Sequence, residues 1–429
     1  MKIANESIWT ALTRYVQTWR TLLLLYGSQA VNAVAGLVYS KLLAMHILPD
    51  QLGQYNVQLA GGLLLYGCLV TPLIQSFKFT IQQQPPAASA QFYLGVLFRL
   101  CLAGGAIVAG LVLTGYAPWL LLLIWLAISA QCCFSIGNDY LNITFQHKRY
   151  ALLQGLSPIL NVVLLSLLLG PWWSGRQVVG LWLCYALLNG ILAVVAWRNA
   201  RQFNPAFRFS RDWGTLTGRR AFWAIYRPYA SPLMLYGVFG WVIVYADRYI
   251  INQLLTAADV GYYAIGYSLG ARMALIASPL TTHLTPIVLA AHASTPADLP
   301  PPANSQNPIW KHLGLFWLIS APICVFLLLF RDTIGRLVLT ESYQPAFLVI
   351  PLIAIAYVGS LSIQFFETKF YATNQTHYVL WQSIAGALLN VFLNLWLIPQ
   401  FGIAGAALSM IGSAFCQLLI AYFLFSRLL

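Results

Sequence analysis

Apolar runs, each long enough to cross a bilayer, follow one another along the whole chain and are separated by short polar stretches. A helix needs about 20 mostly apolar residues to span the hydrocarbon core. The pattern predicts spans at about 20–45, 52–75, 92–114, 117–143, 151–170, 178–197, 230–254, 258–288, 310–330, 345–370, 378–398 and 402–426. The expected fold class is therefore an all-α polytopic membrane protein with about twelve transmembrane helices, and an even number puts both termini on one side. Residues 1–19 differ, being polar and basic with Ile8, Trp9, Leu12, Tyr15, Val16 and Trp19 at helical spacing. That predicts a short helix lying in the membrane interface rather than a cleaved leader.

Composition agrees. Hydrophobic residues make up 60% of the 429 and charged residues 8%, too few to cover a soluble surface. The net charge of +13 does not point to nucleic acid, because the basic residues are distributed by side. One set of loops and ends holds fifteen Lys and Arg, among them Lys2, Arg14, Lys148, Arg149 and Lys311; the other holds only Arg176, Arg331 and Arg336. The positive-inside rule then makes both termini cytoplasmic. The stretch 198–228, with seven arginines, reads as a cytoplasmic linker drawn to anionic headgroups. It separates an N-terminal six-helix lobe, 1–197, from a C-terminal one, 229–429. The loop at about 291–309 has the Pro- and Ala-rich composition of an extended linker. All seven cysteines fall in apolar spans without metal-ligand spacing and read as small buried hydrophobes.

The two halves repeat each other. Lys41 to Tyr55 (KLLAMHILPDQLGQY) and Arg248 to Tyr263 (RYIINQLLTAADVGYY) share a cation late in a span, an apolar run, an acidic turn, then Gly and an aromatic. A second pair is His147–Gln154 with Gln375–Gln382, followed by Asn161 and Asn390 in similar places. Six spans separate the copies, so the repeats run in the same direction and predict two parallel lobes related by a pseudo-twofold axis along the membrane normal. That is a transporter architecture.

Ionisable groups inside spans cost at least about 2.5–3.5 kcal/mol at the centre and are functional candidates. Here they are Lys41, Arg99, Asp139, Asp247, Arg248, Arg272, Glu367 and Lys369. Arg99, Glu367 and Lys369 lie near enough to span ends to reach the headgroups. Arg272 is too deep for that, which favours a cavity or a buried pair. Asp247 either neutralises Arg248 structurally or titrates as an ion-coupling acid, and Asp139 either couples ions or pairs with Arg149. Counting Asp259, cations outnumber acids five to four near or within the spans. A vestibule of that sign suits an anion, and the guanidinium fork suits phosphate. No nucleotide-binding, hydrolase or metalloprotease motif is present and the outer loops are short, so no catalytic residue, metal site or enzyme activity is expected.

Two stretches resemble a known family. Tyr245 to Ala264 (YADRYIINQLLTAADVGYYA) looks like the seventh-to-eighth helix signature of bacterial polysaccharide transporters. Leu389 to Ala407 (LNVFLNLWLIPQFGIAGAA) looks like their eleventh-to-twelfth helix signature. These are the Wzx-type O-antigen and capsule flippases of the multidrug/oligosaccharidyl-lipid/polysaccharide (MOP) exporter superfamily. The resemblance implies a V-shaped fold that moves undecaprenyl-pyrophosphate-linked oligosaccharide, a lipopolysaccharide or capsule precursor, from the inner to the outer leaflet of the cytoplasmic membrane. It implies no cofactor and coupling to a proton or sodium gradient, through Asp247 or Asp139. By position, Lys41, Arg248 and Arg272 carry over as pyrophosphate contacts, and Asn32, Gln58 and Asn252 are candidate sugar contacts. A polysaccharide polymerase and a chain-length regulator are candidate partners, beside the bilayer itself. The alternatives are a drug exporter of the same superfamily, disfavoured because spans one and two contain no acid, and a non-transporting scaffold of a synthesis complex.

Overall fold

The computed structural model describes residues 8–81, 86–115, 118–144, 146–168, 177–205, 207, 216–293, 307–373 and 375–428. Among these residues every regular element is helical. In order they are α1 (Ile8–His46), α2 (Pro49–Leu65), α3 (Thr71–Ile81), α4 (Pro86–Leu113), α5 (Leu120–Ile143), α6 (His147–Leu168), α7 (Gln177–Phe203) and α8 (Leu216–Leu254). The rest are α9 (Ala257–Gly270), α10 (Ala274–Ala293), α11 (Asn307–Leu329), α12 (Arg331–Val338), α13 (Ala346–Ala372), α14 (Thr376–Phe401) and α15 (Ile403–Ser426). Large apolar side chains such as Val34, Leu102, Ile107, Leu318, Phe392 and Leu419 are exposed along these helices. In water that would be a severe liability; on transmembrane helices it is the lipid-facing surface.

Ten helices among the described residues are long and apolar enough to cross a membrane, against the twelve spans expected. The first and eighth of the expected spans are the two not among them. The first lies in α1, whose side chains before Gly27 are outside the described residues. The eighth is divided into α9 and α10 by a turn of 3-10 helix at Ala271–Met273. The interfacial helix expected at 1–19 is not separate: from Ile8 it is continuous with the span, in one helix of 39 residues. The loop 294–306 also lies outside the described residues. The basic stretch 198–228 is helical at both ends, with α7 running to Phe203 and α8 beginning at Leu216.

The repeat is visible in the element boundaries. A shift of 208 residues carries the end of α1 at His46 onto the end of α8 at Leu254, and the start of α2 at Pro49 onto the start of α9 at Ala257. Both second helices of the repeat are interrupted, α2 from α3 by a π-helical turn at Tyr66–Val70 and α9 from α10 by the 3-10 turn. Later in the halves, Cys184 Sγ donates to Asn161 Oδ1 at 3.7 Å, and Asn390 Nδ2 donates to Ser413 Oγ at 3.2 Å. The two bonds join α6 to α7 and α14 to α15 over the same sequence separation.

The chain forms two compact units. The first comprises residues 1–39, 73–174 and 179–230; the second comprises 40–72, 175–178 and 231–429. In the first, aromatic packing dominates: Phe77, Tyr93 and Tyr140 form one cluster, and Phe92 stacks on Phe222 with ring centroids 4.9 Å apart. Trp197 donates to the Cys133 carbonyl at 2.7 Å. In the second, α13 is the central helix, packed by α9, α11 and α15.

The end of α1 and all of α2 belong to the second unit because α2 and α9 cross with their backbones in contact. A Cβ added to Gly53 would lie 1.6 Å from the Ala257 carbonyl oxygen, and one added to Gly261 would lie 2.0 Å from that of Pro49. Each glycine sits one turn into its helix and receives the first carbonyl of the other. The acidic turns read in the sequence are the starts of these helices. Pro49 occupies the first turn of α2, where its missing N–H costs nothing. Thr256 and Asp259 form a reciprocal capping box on α9, with bonds of 3.1 and 3.2 Å. Gln177 ties the α1–α2 junction, accepting from Leu48 N and donating to His46 O. Farther along, Trp241 donates to Ala60 O at 2.7 Å and Tyr249 to Val57 O at 3.0 Å, fixing α8 on α2.

At the other repeat signature, Gly402 takes φ +60° between α14 and α15, a conformation that side chains resist. Gly405 then lies against the Leu397 carbonyl, 2.3 Å from where a Cβ would be, so α15 turns back directly onto α14.

The crossing predicts that Gly53→Val and Gly261→Val each lower stability by about 1–3 kcal/mol or more, because backbone carbonyls cannot move aside as side chains can. Thermal unfolding of the purified protein in detergent measures this. Gly240→Ala, at a helix position with nothing within 4 Å of the added carbon, is expected to leave the midpoint nearly unchanged.

Candidate functional site

The candidate residues Lys41, Gln58, Asp247, Arg248, Asn252 and Arg272 belong to the second unit, and Asn32 and Asp139 to the first. Asp247 and Arg248 form the most enclosed polar group of the set, 2% and 4% exposed. Arg248 Nη1 lies 3.0 Å from Asp247 Oδ1. The same guanidinium nitrogen donates to the Val244 carbonyl at 2.6 Å, one turn back. Asp247 Oδ1 also accepts from the Arg248 backbone N–H at 2.7 Å, and its Oδ2 accepts from the Tyr263 hydroxyl. Tyr245 and Tyr267 place their rings 4.9 and 4.6 Å from the guanidinium carbon, with Tyr263 at 5.9 Å. Tyr357 on α13 donates to the Tyr267 hydroxyl at 3.0 Å. The charge is thus balanced within the protein, and the faces of the guanidinium are taken up by aromatic rings. Neither group faces open space, so the pair locks α8, α9 and α13 together.

Lys41 is engaged as well. Its Nζ donates to the Leu339 carbonyl and, at 3.4 Å, to that of Arg336. Arg336 is in the last turn of α12 and Leu339 directly follows the helix, at the end whose dipole favours a cation. Thr340 Oγ1 donates to Ala44 O and Tyr343 to Ile47 O, both at 3.0 Å, so the end of α1 is tied to this segment at three points. Burial raises the Tyr343 phenol above its ordinary value and keeps it a donor.

Arg272 is half-buried in the 3-10 turn that breaks the eighth span. Asn252 is exposed near the end of α8, and Gln58 is half-buried on α2. In the first unit, Asn32 and Asp139 are both half-buried, and Asp139 lies within electrostatic reach of Tyr150. Arg149, the other partner considered for Asp139, donates to Gln202 Oε1 at 2.7 Å and sits over the Phe203 ring.

Of the three residues expected near the headgroups, Arg99 donates to the Gly95 carbonyl at 3.0 Å and the other two also have partners within the protein. Lys369 is 1% exposed, donates to the Leu428 carbonyl at 2.8 Å and lies 4.9 Å from the Phe425 ring centroid. Glu367 accepts a hydrogen bond from Gln382. Sequence reasoning also passed over Tyr263, Tyr267 and Tyr357, although the first two recur one helical turn apart beside the recognised signature.

Removing one partner of a buried pair leaves an uncompensated charge, at a cost of about 3–5 kcal/mol. Asp247→Leu is therefore expected to unfold at a clearly lower temperature in detergent than wild type. Adding Arg248→Met to it should restore most of the loss, which a purely local cavity at residue 247 would not allow.

Comparison with known proteins supplies the context. No curated protein matches the sequence. The profile of a family described as polysaccharide biosynthesis protein matches residues 69–348, well over half of the chain. Among solved structures, the lipid II flippase MurJ in an inward closed conformation is similar with a TM-score of 0.68 at 12% identity, over 95% of this chain and 87% of that one. An inward-facing multidrug resistance MATE family transporter of the MOP superfamily gives 0.66 at 14%, over 95% and 98%. An outward-facing one gives 0.65 at 13%, over 95% and 96%. At these identities the likeness concerns the fold, which is that of the MOP transporters. With the profile match, it leads to one conclusion: the chain belongs to the polysaccharide biosynthesis protein family.

Proposed function

We propose that this protein carries an undecaprenyl-pyrophosphate-linked oligosaccharide, an O-antigen, capsule or exopolysaccharide repeat unit, from the inner to the outer leaflet of the bacterial cytoplasmic membrane. The observation that carries this reading is membership of a polysaccharide-biosynthesis family on a fold shared with a lipid II flippase. The charge bias of the loops supports cytoplasmic termini, with the α2–α9 crossing toward the outer face.

Of the cations expected to meet the pyrophosphate, Lys41 bonds carbonyls at the end of α12 and Arg248 is paired with Asp247; the reading assigns the contact to Arg272 by its place in the chain. Its fork can take phosphate oxygens in pairs, and it sits where the helix is already broken. Asn252 and Gln58 are secondary polar contacts. Transport by alternating access then requires the α2–α9 crossing to part, with a proton or sodium gradient as the driving force. Asp139 is the better coupling acid of the two considered, because Asp247 already has a fixed cation and a tyrosine donor. A polymerase and chain-length regulator would act on the delivered product.

In a strain lacking its own flippase and making a matched repeat unit, wild type is expected to restore surface polysaccharide. Arg272→Ala at equal membrane level should reduce it by about tenfold or more, with lipid-linked intermediate accumulating, given the worth of a hydrogen bond to a charged group. Full rescue by Arg272→Ala would remove this residue from the site. Failure of wild type to clear the intermediate would count against flipping itself.

A further inference from the structure

Helix α13 is the most enclosed span of the chain, yet two of its residues are exposed, Gln364 and Tyr371, and no others between Ala346 and Ala372. They are seven residues apart, and Glu367 and Thr368 fall between them at the spacing of one helical face. A lipid-facing strip would be apolar. A polar strip within a span faces either protein or a water-filled cavity. The strip faces Thr281 and Thr285, one turn apart on α10, and the six side chains line a cavity of about 360 Å³ inside the second unit.

The hydrogen-bond capacity of this wall is specific. Thr281 donates its hydroxyl proton to the backbone at Ala277 or Ser278, Thr285 donates to Thr281 O at 2.8 Å, and Thr368 donates to Phe365 O at 2.6 Å. Three hydroxyl oxygens therefore offer lone pairs and no protons. Glu367 as a carboxylate only accepts, and Gln382 occupies one of its oxygens. Among the described residues, Gln364 makes no side-chain hydrogen bond, so its amide can both give and take. Tyr371 adds a half-exposed aromatic face. Among the described residues, the lining includes no Lys or Arg.

Such a wall rejects a pyrophosphate, which needs donors and would meet a carboxylate. A bare metal ion needs a shell of oxygens at about 2–2.6 Å, and a volume at the lower end of small-molecule pockets is far too large for it. A polyhydroxylated ring fits: its hydroxyls donate to the threonine and carboxylate oxygens, the Gln364 amide pairs with neighbouring hydroxyls, and its apolar face lies on Tyr371. We infer that the cavity between α10 and α13 is a binding subsite for an uncharged sugar ring of the transported lipid. This rests on the flippase reading. It assigns the sugar and the pyrophosphate to different residues, and it makes Gln364 and Glu367 determinants of which glycan is carried.

The test is equilibrium binding to the purified full chain in detergent, with two probes. One is lipid-linked oligosaccharide extracted from a flippase-null strain of the source bacterium; the other is undecaprenyl pyrophosphate without sugar. Gln364→Leu, at an exposed position, does not threaten folding, and Glu367→Gln keeps the shape and an acceptor for Gln382. Each variant is expected to bind the glycosylated lipid about tenfold more weakly, a difference of about 1.4 kcal/mol, while the bare carrier binds as to wild type. Unchanged binding of the glycosylated lipid, or equal loss for both probes, overturns the subsite. Wild type binding both probes equally also overturns it, while leaving the flippase reading intact. Wild type binding neither probe fails the flippase reading, and the subsite with it.

Discussion

The rest of the second unit depends on the backbone contact between α2 and α9. Two helices from different halves of the chain approach so closely that each presents a glycine to the other's first carbonyl. At the two glycines the backbones meet directly, Val57 of α2 packs in the cluster of Val260 and Tyr263, and the ends are anchored by Pro49 on one helix, the Thr256–Asp259 box on the other, and Gln177 across the α1–α2 junction. The contact draws residues 40–72 out of the N-terminal half and into the C-terminal unit. Small residues serve this purpose in membranes, where lipid offers helices no hydrophobic reason to associate and close packing must supply it.

Charge is handled by a second constraint. Hydrocarbon cannot solvate ions, and four ionisable groups of this unit are held by partners within the protein. Arg248 has a carboxylate and three aromatic rings, Lys41 has helix-end carbonyls, Lys369 has the Leu428 carbonyl and an aromatic ring, and Glu367 has the Gln382 amide. These partnerships consume most of the cationic character that the composition suggested for a cavity. The recognition proposed above is divided between the Arg272 guanidinium at a helix break and an acceptor-rich wall on α13. A lipid-linked glycan has the same division, with an anionic junction next to neutral rings.

Much of this fold was legible in the sequence. Apolar run length marked the spans, and the Lys41–Tyr55 and Arg248–Tyr263 stretches exposed a repeat that the structure bears out where α1 and α8 end and where α2 and α9 begin. The limits have physical causes. Run length says nothing of where a helix breaks, so the turn at Ala271–Met273 was invisible, as was the continuity of α1 from Ile8. Lys41 finds its partner at Leu339, nearly three hundred residues away, which no local pattern encodes. Lys369 looked free to reach the headgroups because span ends are blurred in sequence. The polar spacing of Gln364, Glu367, Thr368 and Tyr371 was readable, but whether that face met lipid, protein or a cavity was not.

The central claim, that this chain itself moves a lipid-linked glycan across the bilayer, is tested most directly in proteoliposomes. Purified protein is reconstituted with lipid-linked oligosaccharide under an imposed proton or sodium gradient, and the glycan exposed on the outer surface is followed with a membrane-impermeant glycosidase. The account predicts that more than the initial outer-leaflet share becomes cleavable with time, and only in vesicles containing the protein. Cleavage that stops at the outer-leaflet share, with and without protein and under either gradient, would contradict it.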